Sequence, residues 1–145
     1  MRAVVQRVTE ASVRVHGELV GAIGAGLCVL VGVTHGDTSA EAIKLAAKLW
    51  NLRVMADEAG VMNRSVAETT KAVLVVSQFT LYGNTERGRR PSWIDAARPE
   101  VAEPLIDELV AELGRLGAFV ATGRFRTDMA VSLTNDGPVT VLIDL

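Results

Sequence analysis

The chain has 145 residues, a formal net charge of −2 and 49% apolar residues. That is enough for one core of ordinary size, without a global positive field to hold nucleic acid by charge alone. A single cysteine, Cys28, excludes an intrachain disulfide and a cysteine-rich zinc site. No apolar run approaches the ~20 residues of a membrane-spanning helix. Met1-Arg2-Ala3-Val4-Val5-Gln6-Arg7 lacks a signal-peptide layout. A soluble, cytoplasmic protein is expected, and any RNA contact must come from a local patch.

Residues 2–8 and 12–15 are β-rich, and His16-Gly17-Glu18 reads as a hairpin turn into 19–23. Gly24 and Gly26 precede the apolar run 27–33. A phosphate-binding loop joins strand to helix, so these glycines are not one. Cys28 lies in that run and reads as a small buried hydrophobe. Thr38 and Glu41 have the spacing of a capping box and predict a helix, with Ile43, Ala46, Ala47 and Trp50 as its core-facing stripe. Residues 52–55 read as a short strand, 57–60 as a turn and 63–71 as mostly loop.

Residues 73–76, Val-Leu-Val-Val, predict a strand buried on both faces, to which β-branched valines are suited. Ser77, Gln78 and Thr80 then place polar groups at the exit of a buried element. Such groups are costly unless they pair with neighbouring backbone, with each other or with a ligand.

The loop 84–92 carries Arg87, Arg89 and Arg90, with Arg98 close behind. It reads either as a solvated charged loop or as a phosphate-contacting patch. Pro99 fits the first turn of a helix whose stripe is Val101, Leu105, Leu109 and Leu113, widened by Ile106, Val110 and Leu116 and ended by Gly117. Residues 118–122 are β-like. Met129, Val131 and Leu133, then Val139, Val141 and Ile143, alternate as strands do. The expectation is one compact α+β (mixed α/β) domain over residues 1–145. Its core is a strand-rich sheet or barrel, and two main helices accompany it.

The two histidines, His16 and His35, fall in a predicted turn and a short connection, without a Ser-His-Asp signature. Glu41, Asp107, Glu108 and Glu112 read as solvated surface, and no spacing predicts a metal site. An enzyme built this way works through backbone amides, hydroxyls and its substrate's own groups. That suits an activated ester, where oriented N–H donors stabilise the developing oxyanion and a neighbouring substrate hydroxyl helps position water.

Ser77-Gln78-Phe79-Thr80 together with Asn135-Asp136-Gly137-Pro138-Val139-Thr140 resembles the D-aminoacyl-tRNA deacylase family. The resemblance includes residues 1–8, Ala11-Ser12-Val13, Gly26-Leu27, Leu52-Arg53, Gly88-Arg89-Arg90-Pro91-Ser92 and Ala96-Ala97, and so spans essentially the whole chain. It implies a homodimer, free of metal and cofactor, that hydrolyses the ester between a D-amino acid and the terminal adenosine of tRNA. Carried over, catalysis falls on Thr80, Gln78 and Ser77, and Thr80 acts through either its backbone N–H or its hydroxyl. Substrate binding falls on Phe79, Met129, Gly137 and Pro138, with Arg7 and Asn135 supporting the pocket. Arg87, Arg89 and Arg90 become candidate tRNA contacts.

The Gly137-Pro138 peptide is expected to be cis and to reach from the partner subunit, where it excludes L-amino acids. Glycine lacks the excluded substituent, so glycyl-tRNA is expected to be cleaved as well. One segment departs from the family pattern: Phe125-Arg126-Thr127-Asp128-Met129 has Arg126 and Thr127 where two small residues are usual. The want of an evident base keeps a second reading open, a non-catalytic dimeric binding protein for an amino-acid or nucleotide ligand.

Overall fold

The long first strand sets the architecture. The computed structural model describes residues 1–86 and 88–145, so the predicted contact Arg87 lies outside the described residues. Strand β1 (Arg2–Val15) runs through both stretches read as separate strands. Its first half pairs antiparallel with β3 (Gly26–Gly32), its second half with β2 (Glu18–Ile23), and its other side with β8 (Ala130–Asp144) over most of its length. Strand β6 (Ala72–Ser77) pairs parallel with β3 and with β7 (Phe119–Thr122). β7 in turn lies against β2, where a Cβ on Gly21 would come within 2.3 Å of the Thr122 carbonyl oxygen. The sheet is therefore a nearly closed, mixed barrel.

Register irregularities let β1 serve two cores. Ala3 and Val5 face the helices, whereas Val8, Ala11 and Val13 face the barrel interior with Ile23, Cys28, Leu74 and Val76. The parity of inward-facing residues changes where the β1–β8 register shifts, between Gln6 and Val8 and between Val8 and Glu10. β6 is buried on both faces as its valine run predicts: Val73 and Val75 face the helices, Leu74 and Val76 the interior.

The parallel pairs require crossovers, and the two main helices lie in them. Helix α1 (Ser39–Asn51) begins at the predicted capping box of Thr38 and Glu41. Its buried stripe is Ala42, Leu45, Ala46 and Leu49. Ile43 is 42% exposed and Ala47 also faces solvent, which corrects the predicted stripe by about a third of a turn. Helix α3 (Pro99–Leu116) starts at Pro99 and stops at Gly117, whose φ of 106° only glycine adopts easily. Leu105, Ile106, Leu109 and Leu113 are buried as predicted, while Val101 is exposed and Ala102 takes its place. Glu112 is also buried rather than solvated, and it pairs with Arg115 one turn on.

The region 52–71 differs most from expectation. Residues 52–54 are irregular, and a small hairpin of β4 (Met55–Ala56) and β5 (Met62–Arg64) precedes a one-turn helix α2 (Val66–Thr69) in place of loop. Ser65 and Glu68 form a second capping box there. No helix among the described residues is long and apolar enough to cross a membrane.

Candidate active site

The ladder between β3 and β6 ends where Gln78 N–H donates to Val31 O at 2.7 Å. The chain then tightens into a 3₁₀ turn, Phe79–Tyr82. Leu81 N–H is the first in the turn to find a carbonyl, Gln78 O at 3.2 Å. The i→i+3 pattern thus leaves the Phe79 and Thr80 N–H groups without acceptors inside the turn. The turn lies tightly on β3: a Cβ on Gly32 would meet Leu81 Cβ and Tyr82 Cδ2, each at 3.1 Å.

Arg2 fastens the far end of the turn. It donates to Leu81 O at 2.9 Å, lies over the Tyr82 ring at 4.8 Å and pairs with Asp144 at 2.8 Å. Burial, reinforced by Asp37 and Asp144, pushes the Tyr82 phenol up to about 12, so it stays neutral.

A cleft of about 770 Å³ opens at this exit. Ser77, Gln78, Phe79 and Thr80 line it together with Met129, Trp93, Phe125 and Arg126. The structure thus brings five of the predicted site residues, Ser77 to Thr80 and Met129, to one place. Gln78 Nε2 donates to Thr80 Oγ1. Phe79 meets Trp93 edge-on, with centroids 5.4 Å apart. Trp93 and Ala96 belong to a segment that sequence reasoning did not assign to the site. It is held by Thr34, whose hydroxyl donates to Asp95 O at 2.6 Å, and by His35, whose Nε2–H donates to Ile94 O at 2.7 Å. Neither histidine lines the cleft. Among its described lining residues only Arg126 and Asp128 are charged.

Gly137 and Pro138 lie elsewhere. Their peptide bond is cis, both residues are exposed on β8, and neither lines this cleft. Arg7 holds the segment by donating to Asp136 O at 3.2 Å, pairing with the Asp136 carboxylate at 3.0 Å, and anchoring to Val54 O at 2.7 Å. Asn135 accepts from Val139 N–H at 3.0 Å and donates to Thr140 Oγ1 at 3.0 Å. Arg7 and Asn135 thus serve the Gly137–Pro138 segment rather than the cleft. Arg89 and Arg90 are exposed in a loop closed by the Asn84–Ser92 bridge.

The family model for D-Tyr-tRNA(Tyr) deacylase matches residues 4–144. The chain belongs to that family.

A D-aminoacyl-tRNA deacylase of Streptomyces coelicolor is 60% identical over 146 residues, covering all of both chains. Among solved structures, the deacylase-family fold described above is similar to that of "c-Myc DNA Unwinding Element Binding Protein". That structure has a TM-score of 0.94 and 40% identity, over 100% of this chain and 99% of that one. At 16% identity, "Structural Analysis of a probable eukaryotic D-amino acid tRNA deacylase" still superposes with a TM-score of 0.85, over 99% of this chain and 98% of that one. That likeness shows the fold alone.

Proposed function

We propose that this member of the deacylase family hydrolyses the ester between a D-amino acid and the 3′-terminal adenosine of tRNA, a proofreading step of translation in the cytoplasm. The observation that carries the reading is the convergence of Ser77, Gln78, Phe79, Thr80 and Met129 on one cleft whose described lining holds no histidine. Water adds to the ester carbonyl, the oxyanion takes hydrogen bonds from the N–H groups at the start of the 3₁₀ turn, and the C–O bond to the ribose breaks. The ribose oxygen leaves with a proton, and the D-amino acid departs as its acid. Thr80 N–H is the preferred donor. Its hydroxyl, already accepting from Gln78, positions rather than attacks.

The site is completed by a second copy of the chain. Two features favour a homodimer. β8 is 15 residues long and has β1 as its one strand partner among the described residues, the kind of edge that proteins cover. Gly137 and Pro138 also lie exposed away from their own cleft. In the dimer their main chain enters the partner's cleft and reads the configuration at Cα. Fixed carbonyls can do this for any side chain, because they oppose an L-substituent and ignore a D-substituent. Glycine has neither, so glycyl-tRNA is cleaved too. Resistance of glycyl-tRNA at enzyme levels that clear D-tyrosyl-tRNA would count against this filter. Arg89 and Arg90 contact the tRNA backbone.

Matched D- and L-tyrosyl-tRNA test the whole reading. Release of D-tyrosine alone is expected. A flat time course for both, with ligand bound, returns the chain to the class of binding proteins. Light scattering tests the dimer independently.

A further inference from the structure

Arg126 sits in the turn between β7 and β8, on the lining of the cleft. Its φ is 58°, in the left-handed region that favours glycine, and Thr127 Oγ1 closes the turn on Arg124 O at 2.8 Å. A non-glycine side chain here is held against a local conformational cost, and such outliers concentrate at ligand sites. The second observation is charge. Arg124, two residues earlier, points to Glu18 at 3.6 Å, whereas among the described residues no carboxylate lies within ion-pair distance of Arg126. Asp128, the other charged residue of the described lining, is not within ion-pair distance of it either. An uncommitted guanidinium therefore stands on a different element of the cleft from Thr80.

We propose that Arg126 binds the 5′-phosphate of the terminal nucleotide, so that the enzyme reads the phosphate nearest the scissile ester. The assignment rests on the reading of the cleft given above. An ester held at Thr80 is carried by a ribose whose 5′ carbon bears a phosphodiester, one sugar away. A guanidinium matches that group with two parallel N–H donors, and the contact is sequence-independent. Arg126 is thus a substrate-affinity residue of the cleft rather than a member of the reacting set.

The test uses uncleavable probes, so it does not depend on turnover: adenosine carrying D-tyrosine through a 3′-amide, with and without a 5′-phosphate, titrated into native protein and Arg126→Gly. Native protein is expected to bind the phosphorylated probe about tenfold more tightly, as a charge-assisted contact allows. Arg126→Gly should bind both probes with the native affinity for the unphosphorylated one. Arg126→Lys should keep part of the gain. Added salt should weaken binding of the phosphorylated probe to native protein, and this salt dependence should be smaller in the glycine variant. Glycine suits φ 58°, so the variant should melt no lower than native protein.

A phosphate gain that survives in Arg126→Gly overturns the proposal, as does an equal loss for both probes, which would place Arg126 on the base, sugar or amino acid. Equal binding of the two probes by native protein also overturns it. If native protein binds neither probe, the reading of the cleft itself fails and the assignment goes with it.

Discussion

The cleft wall at the exit of β6 and the Gly137–Pro138 segment of β8 are fastened differently. The wall, Ser77 to Tyr82, begins on main chain, with Gln78 N–H closing on Val31 O and the 3₁₀ turn lying on Gly32, and one side chain, Arg2, grips its far end at Leu81 O. The Gly137–Pro138 segment is exposed and hangs on two side chains, Arg7 and Asn135. A wall held by backbone tolerates side-chain changes, because its donors are the backbone itself. A segment held by side chains is displaced by substitutions that never touch substrate. On the proposed mechanism the first region supplies rate and the second handedness, so the two properties should separate under mutation.

The largest separation is expected from Gly137→Ala. A Cβ there would meet Val139 Cγ2 at 2.7 Å and Arg7 Nη2 at 3.1 Å, and the φ of 128° is one that alanine adopts at a cost of about 1–3 kcal/mol. Either the Val139 and Arg7 side chains give way or the main chain shifts, and the ratio of D- to L-tyrosyl-tRNA hydrolysis should fall by about 5–150-fold, the equivalent of that energy. Arg7→Ala should act in the same direction by removing a guanidinium that bonds both Asp136 and Val54. An unchanged ratio in both variants would move the chiral filter elsewhere. Thr80→Ala is the smaller and complementary case. If the Thr80 N–H is the working group, kcat should fall by less than about tenfold with the D/L ratio intact. Loss of a nucleophile costs several orders of magnitude, so a collapse of that size would reassign the hydroxyl.

The same contrast explains what could be read from the sequence. The 73–76 run announced a doubly buried strand, and Thr38 with Glu41 announced a helix start, because each depends on residues adjacent in sequence. The cleft residues Ser77, Gln78 and Thr80 are visible in the sequence as polar groups leaving a core strand. Trp93 and Ala96 were not, because hydrogen bonds from Thr34 and His35, some sixty residues earlier, bring that segment to the cleft. The spacing puts the stripe of α1 on Ile43 and Ala47 because a helix with alanines and leucines on several faces offers more than one apolar face, and packing against α3 selects Ala42, Leu45 and Leu49. Residues 63–71 read as loop because their elements are three and four residues long, too short to show a period.

The smallest expected effect serves as the control for the other variants, because it changes stability through groups that line neither region of the site. Glu41 accepts from the Thr38 hydroxyl and from Thr38 N–H, and these bonds hold its carboxyl below the ordinary value of 4.5. Glu68 does the same at Ser65, where the backbone bond leads. A carboxylate with a folded pKa below its unfolded one adds stability above about pH 4.5 and loses it as the pH falls through the folded value. The melting temperature should therefore drop on the acid side of pH 4.5 as both helix starts lose their charge. Glutamine also forms capping boxes, so Glu41→Gln removes the charge and keeps the shape. Its melting temperature should lie slightly below native at pH 7, and the two curves should converge in acid. The D/L ratio of the variant at pH 7 should equal that of native protein. If it shifts, stability alone can alter handedness, and the effects of Gly137→Ala and Arg7→Ala lose their local meaning.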